Sequence, residues 1–396
     1  MTRSLWFKLF VPASITAILL STAAVRAEET VIGIVHSEGF AYAEMMKRSY
    51  EIAMEDVNRG AGEKGLRFRL AFADDRGDRR GAEEAVQHLA KSRGAAILVG
   101  GYSSSNTLYA AMAADRIGIP FVVITAADDR ITRRQLTNVY RLNPPSSDYT
   151  NGLEAFFQKV VSPRSMAIVY ENSPYGTGAA MKMMWYCREN DIELLAIIPY
   201  IRGRAKDAYF DRILSPLREK SPDVVYMVSY LKDGAELVKK LRSMNLKSLL
   251  CGGAGGFTHP RFNELSGEDG NLMITAALWA PETGFSGAMA YRDRYESAYQ
   301  TAPDYHGVEA FSSIHVAAEA LRTAASLSAD AIREALDRLD METPFGRVRF
   351  ESDGDYERQN RVDTLVLQLV SGRYECIWPE SLSTTTFEPP PYWRAD

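Results

Sequence analysis

Residues 96–132, AILVGGYSSSNTLYAAMAADRIGIPFVVITAADDRIT, constrain the fold more than any other part of the chain. An apolar run, AILV (96–99), ends in Gly100-Gly101 and a Ser-rich loop. Leu108, Ala111, Met112 and Asp115 follow at helical spacing, and Gly118-Ile119-Pro120 stops the helix. FVVI (121–124) is then a second buried strand. Strand, loop, helix, strand in this order makes a parallel sheet, with loops 100–105 and 125–130 leaving the same edge. Ligands of open α/β sheets bind at that edge. Hydroxyls and free N–H groups at a helix start suit an anion such as a carboxylate.

The same alternation runs along the chain. VIGIVHS (31–37) reads as a strand and 43–58 as a helix, with Met46, Tyr50, Ala53, Met54 and Val57 on one face. LRFRLAFADD (66–75) alternates apolar and basic residues, as a strand toward a sheet edge does, and 80–93 is helical. A Pro/Ser cluster, Asn143-Pro144-Pro145-Ser146-Ser147, marks a crossing between lobes. A second set follows, with helices 148–160, 177–190, 206–219 and 232–244 between strands 165–171, 194–200, 223–229, 248–253 and 271–279. After Pro281 the pattern is helical over 287–301, 305–325 and 328–339. Segments 343–350 and 364–370 read as strands flanking a turn at Asp353-Gly354-Asp355.

At 396 residues the chain suits two α/β domains. The first lobe is assigned to 28–146 and 281–350, the second to 147–280 and 351–380. Residues 381–396 read as an extended Pro-rich tail. At the N-terminus, Arg3 and Lys8 flank the apolar stretch 9–20, and Val25-Arg26-Ala27 follows. This pattern predicts a secretory signal peptide (1–27) cleaved after Ala27, hence a periplasmic protein. Glu28 stands where a lipoprotein would carry Cys. Cleavage takes the net charge from −5 to −8, and nothing points to nucleic acid.

Catalytic chemistry is poorly signalled. The five histidines are scattered, and HExxH, CxxC, GxGxxG and Walker-type patterns are missing. GYSSSN is not a nucleophile elbow. No catalytic residue, metal or cofactor is therefore expected. Asp74-Asp75 supplies either acid/base carboxylates or the capping of a turn. Cys187, Cys251 and Cys376 permit one disulfide, or three free buried thiols.

Six segments in order carry a resemblance: FADDRGDRRGA (72–82), LVGGYSSS (98–105), GIPFVVITAADDRIT (118–132), YENSPYGTG (170–178), VVYMVSYLKDGAEL (224–237) and TPFGRVRFE (343–351). Over residues 31–379 the chain resembles the leucine/isoleucine/valine-binding family of periplasmic solute-binding proteins. The resemblance implies the type I periplasmic binding protein fold, two doubly wound Rossmann-like α/β lobes joined by crossover hinges. It also implies the substrate-binding component of an ABC transporter of the branched-chain amino acid type. Such a protein captures an amino acid, carboxylate or amide by hinge closure and delivers it to a membrane permease. A ligand-sensing regulator of the same fold is the alternative; an exported hydrolase would need a nucleophile–base pair that the sequence does not show.

The resemblance places the carboxylate-binding serine at Ser104, with Ser103 as the alternative register. It places the second ligand loop at Thr125 and Ala127, and second-lobe aromatic contacts at Tyr175 and Tyr230. Each also has a plainer reading, Ser104 as a helix N-cap and the tyrosines as packing. Two departures bear on the ligand. Amino-acid-binding members carry an acid in the loop that here reads Gly253-Ala254-Gly255-Gly256, and a hydroxyl where this chain has Ala127. A buried ammonium without a partner is costly. Either Asp128 or Asp129 turns inward, or the ligand lacks an α-ammonium. In the second case Trp279 or Phe257 is placed to stack on a bulkier ligand. Gly77 and Tyr102 stand near the positions of the family's first-lobe disulfide.

Overall fold

Thr30–His36 is buried along its whole length and forms β1, as a continuous apolar run does when both sheet faces are covered. The computed structural model describes residues 29–59, 65–204 and 207–394, so the segment read as a signal peptide lies outside the described residues. After β1 come α1 (Ala43–Arg59), β2 (Phe68–Asp74), α2 (Arg79–Gln87), β3 (Ala95–Gly100), α3 (Ser104–Ile117), β4 (Phe121–Val123) and β5 (Val139–Arg141). The strands pair in parallel in the order β2-β1-β3-β4-β5, which leaves β2 at an edge, as its alternating pattern predicts.

The second lobe repeats this order. It contains α4 (Asn151–Phe156), β6 (Ser165–Glu171), α5 (Pro174–Glu189), β7 (Glu193–Tyr200), α6 (Asp207–Leu214), α7 (Leu217–Lys220), β8 (Val224–Val228), α8 (Leu231–Ser243), β9 (Leu249–Gly252), α9 (Phe262–Ser266) and β10 (Ile274–Ala277). The parallel order is β7-β6-β8-β9-β10. The single helix expected over 206–219 is broken into α6 and α7. Pro216, which has no N–H to continue the ladder, precedes the first residue of α7.

The chain then returns to the first lobe as α10 (Ala288–Tyr299), α11 (Tyr305–Thr323), α12 (Ala329–Asp337) and a small hairpin, β11 (Asp340–Thr343) with β12 (Gly346–Arg349). Fifteen of the nineteen residues of α11 are buried, so it is a core helix; it packs against α1. Two more hairpins finish the sheets. β13 (Glu351–Asp353) and β14 (Tyr356–Gln359) extend the first sheet beyond β5. β15 (Leu365–Val370) and β16 (Arg373–Trp378) extend the second beyond β10.

This corrects the lobe boundary set at 350/351, because residues 351–359 belong to the first sheet. Gln359 pairs with Arg141 on β5, and the fully buried Arg141 fixes the join. Its guanidinium donates to Gln359 Oε1 (2.6 Å), the Asp128 carbonyl (2.7 Å) and Thr132 Oγ1 (2.7 Å). The chain thus crosses between lobes after β5, after β10 and after β14.

The tail lies along the second lobe. Gln368 exchanges hydrogen bonds with the Glu388 backbone, and Trp393 Nε1 donates to the Asp223 carbonyl. All three cysteines are free and buried. Asp74 and Asp75 hold the turn after β2 by accepting from the Glu38, Arg76 and Gly77 N–H groups and Ser37 Oγ; the cap of α2 itself is Asp78. Among the described residues no helix is long and apolar enough to cross a membrane.

Candidate functional site

In both sheets the strand order reverses beside the first strand of the lobe, and the loops after that point face each other. In the first lobe the turn from β3 to α3 needs two glycines with positive φ, Gly100 (126°) and Gly101 (87°). A Cβ on Gly100 would come within 2.2 Å of the Val35 carbonyl oxygen, so only glycine lets the loop run this close to β1. Ser103 then sits at the N-cap of α3 in an extended conformation, without a side-chain cap bond. Ser104 Oγ accepts from the Ala127 and Asp128 N–H groups, each at 3.2 Å. Through these bonds the loop after β3 is sewn to the loop after β4. Thr125, two residues past β4, donates from Oγ1 to Glu309 Oε2 at 3.0 Å.

The second lobe answers with aromatic rings. Ser173 caps α5 through the Gly176 N–H, and Pro174 opens the helix, which fixes Tyr175 in its first turn. Tyr175 donates from its hydroxyl to the Gly253 carbonyl at 2.9 Å. Tyr230, between β8 and α8, places its ring 5.7 Å from that of Tyr175 and 6.1 Å from that of Tyr102 across the cleft. Burial pushes both second-lobe hydroxyls well above the usual tyrosine range, so they remain neutral donors.

The lobes touch directly. Tyr42 of the first lobe donates to the Gly255 carbonyl (2.7 Å), and the Gly255 N–H donates to Tyr305 Oη (3.1 Å). Thr258 Oγ1 donates to Asp304 Oδ2 at 3.1 Å. Asp304 also caps α11 and holds His306 Nδ1 at 3.0 Å, while the His306 ring stacks on Tyr42 with centroids 3.6 Å apart. Between these groups a cavity of about 20 Å³ remains. That volume holds about one water molecule. The lobes are therefore shut in this conformation, and an organic solute enters only when they part.

Of the sequence-predicted residues, Ser104, Thr125, Ala127, Tyr175 and Tyr230 all line this cavity. Ser103, the alternative register, does not; it is buried at the start of α3. The stacking role drawn for Trp279 and Phe257 is not met. The Trp279 indole is held by the Pro344 carbonyl beside a separate groove, and Phe257 is buried beneath Gly252. Asp128 and Asp129 do not turn inward. Asp128 pairs with Arg130, and Asp129 accepts from Tyr356, Ser146 and Ser147.

Sequence reasoning missed Tyr102, Tyr149, Gly255, Tyr305 and His306, which complete the lining. Tyr102 stood in the very loop read as a ligand edge, so its position was a usable signal. Tyr149, Tyr305 and His306 reach the cavity from a crossing segment and from α11, which no local pattern ties to the strand ends.

Two parallel sheets whose strand ends shut on one polar and aromatic cavity define a cleft-type binding protein, hinged at the crossings. The chain belongs to the periplasmic binding protein family, whose pattern matches residues 34–371. Among its relatives is Leu/Ile/Val-binding protein homolog 7 of Brucella melitensis, 25% identical over 361 residues that cover 87% of this chain and 89% of the relative. Its fold matches that of LivJ from Streptococcus pneumoniae in complex with isoleucine, with a TM-score of 0.79 at 19% identity over 88% of this chain and 98% of the other. It also matches a solute-binding protein of R. palustris in complex with benzoate, with a TM-score of 0.76 at 17% identity over 91% and 99% of the two chains.

Proposed function

We propose that this protein is the solute-binding component of an ABC transporter of the branched-chain amino acid type. It takes a small organic carboxylate into the inter-lobe cleft and presents it to a membrane permease, working in the periplasm. The observation that carries this reading is the convergence of Ser104, Thr125 and Ala127 with Tyr175 and Tyr230 on one cavity shut by lobe-to-lobe hydrogen bonds. The relatives named for leucine, isoleucine and valine, and the similar folds solved with isoleucine and with benzoate, support the solute class.

The groups on the cavity wall suit holding rather than bond breaking. Ser104 Oγ is engaged by two backbone N–H groups, and among the described residues it makes no hydrogen bond to His306, the imidazole that shares the cavity. A hydrolase would need that serine activated by a base.

A thermal-shift screen of amino acids, aromatic acids, aliphatic acids and amides tests the reading. A true ligand at 100-fold its Kd should add about 2.7 kcal/mol of stability. A flat response across every class would count against it. With a carboxylate ligand in hand, Ser104→Ala should weaken binding by about 1–3 kcal/mol. Calorimetric titration showing equal affinity for both proteins would remove Ser104 from the site.

A further inference from the structure

Behind the first-lobe wall stands a fully buried acid. Glu309, on α11, has no exposed surface. Among the described residues no lysine, arginine or histidine forms an ion pair with it. Its Oε2 accepts from Thr125, which lines the cavity, and its Oε1 has no hydrogen-bond partner among the described residues. The groups facing it offer no positive charge. They are Tyr50 from α1, Tyr149 from the first crossing and Asp304 at the start of its own helix. Burial in these surroundings holds its carboxyl well above the usual range, which favours the protonated form wherever no positive partner faces it.

We propose that Glu309 is the charge partner for the ammonium group of an amino-acid ligand, acting through the Thr125 hydroxyl. The proposal rests on the cleft being a carboxylate-solute site, and it supplies from the first lobe the acid that loop 253–256 lacks. An ammonium against Thr125 Oγ1 would lie within about 4–6 Å of Glu309, close enough to favour the carboxylate form. The Glu309 proton then leaves to solvent. Thr125 donates its single hydroxyl hydrogen to Glu309 and turns its lone pairs to the ammonium. Ser104 acts in the opposite sense. Its oxygen already accepts from two N–H groups, so its hydroxyl hydrogen is the group left to meet a carboxylate. The wall thus donates at Ser104 and accepts at Thr125, the polarity of a zwitterion. Glu309 is a positioning residue, since it does not itself line the cavity.

Isothermal titration with isoleucine at pH 6, in buffers of different ionisation enthalpy, tests this. Wild-type protein should release about one proton per isoleucine, and its affinity should rise about tenfold per pH unit while Glu309 remains protonated in the free protein. Benzoate, which has no ammonium, should release none. Glu309→Gln should abolish the release and flatten the pH dependence. Thr125→Val, which keeps the acid and removes the relay, should do the same and covers the case in which the first variant does not fold. Isoleucine binding without proton release overturns the proposal and leaves the cleft reading standing. So does binding of benzoate but not isoleucine. If no carboxylate binds at all, both fail.

Discussion

Arg141→Met should destabilise the first lobe by about 3–5 kcal/mol, measured as a shift in its urea unfolding midpoint. The guanidinium is fully buried and makes three short hydrogen bonds, to Gln359, the Asp128 carbonyl and Thr132. Methionine keeps the unbranched apolar stem, stops short of the guanidinium, and donates nothing. Three hydrogen bonds from a charged donor would be lost, each worth about 1.5–3 kcal/mol; Gln359 Oε1 keeps Thr132 and the Asp128 carbonyl keeps the Ile131 N–H, and the loss is further offset because a charge no longer has to be desolvated. Burial lowers the arginine to about 10, opposed by Asp129, so it stays charged at neutral pH and titration does not relieve the loss. The damage should be local. Gln359 gives the one backbone pairing between β14 and β5, so hydrogen exchange should rise in residues 351–359 and in the loop around Asp128. A loss below about 1 kcal/mol would show that water replaces the guanidinium, and that the hairpin is held some other way.

The second large effect is expected at Gly255. A Cβ there would lie 2.4 Å from the Tyr175 hydroxyl oxygen, at a φ of +56°. An alanine in the left-handed region costs about 1–2 kcal/mol before any clash. Gly255 also offers both its N–H and its carbonyl to tyrosines of the opposite lobe, bonds that exist only when the lobes are shut. Gly255→Ala should therefore weaken ligand binding by about 2–4 kcal/mol, summing the backbone cost and the loss of one or two hydrogen bonds. Small-angle scattering in the presence of ligand should report a larger radius of gyration than for the wild type. Equal affinity and equal compaction would mean that the loop relaxes without cost and that Gly255 does not govern closure.

The parallel cores were legible because their strands are nearly unbroken apolar runs, as at 96–99 and 121–124, separated by helices with clear stops. Loop positions at the strand ends followed from that order, and the family resemblance singled out Ser104, Thr125 and Ala127 within those loops, where the cavity lies. The hairpin at 351–359 was not legible. Its residues, ESDGDYERQ, are polar on both faces, and its sheet is chosen by a pairing with Arg141 more than two hundred residues earlier. The stacking role for Trp279 failed for a related reason. An aromatic after a strand satisfies the local pattern equally well whether its indole meets a ligand or the Pro344 carbonyl. Glu309 carried no local signal either, since it sits in the second turn of α11 between Val308 and Ala310 and becomes notable only when the fold brings Thr125 to it from 184 residues earlier.

The three crossings also set an order of assembly. Residues 151–277 supply all five parallel strands of the second sheet in one continuous stretch. The first lobe is interrupted. Its leading strands lie before residue 142, while the helix that fills its core, α11, begins at Tyr305, and its last sheet strand ends at Gln359. A chain emerging from its N-terminus can therefore lay down the five parallel strands of the second sheet before α11 reaches the first, while β15 and β16 close the second sheet last of all. The earlier half must wait, apolar and incomplete, for a partner more than one hundred and fifty residues downstream. Contacts of such separation are slow to form. The fold thus delays its own completion until nearly the whole polypeptide has arrived.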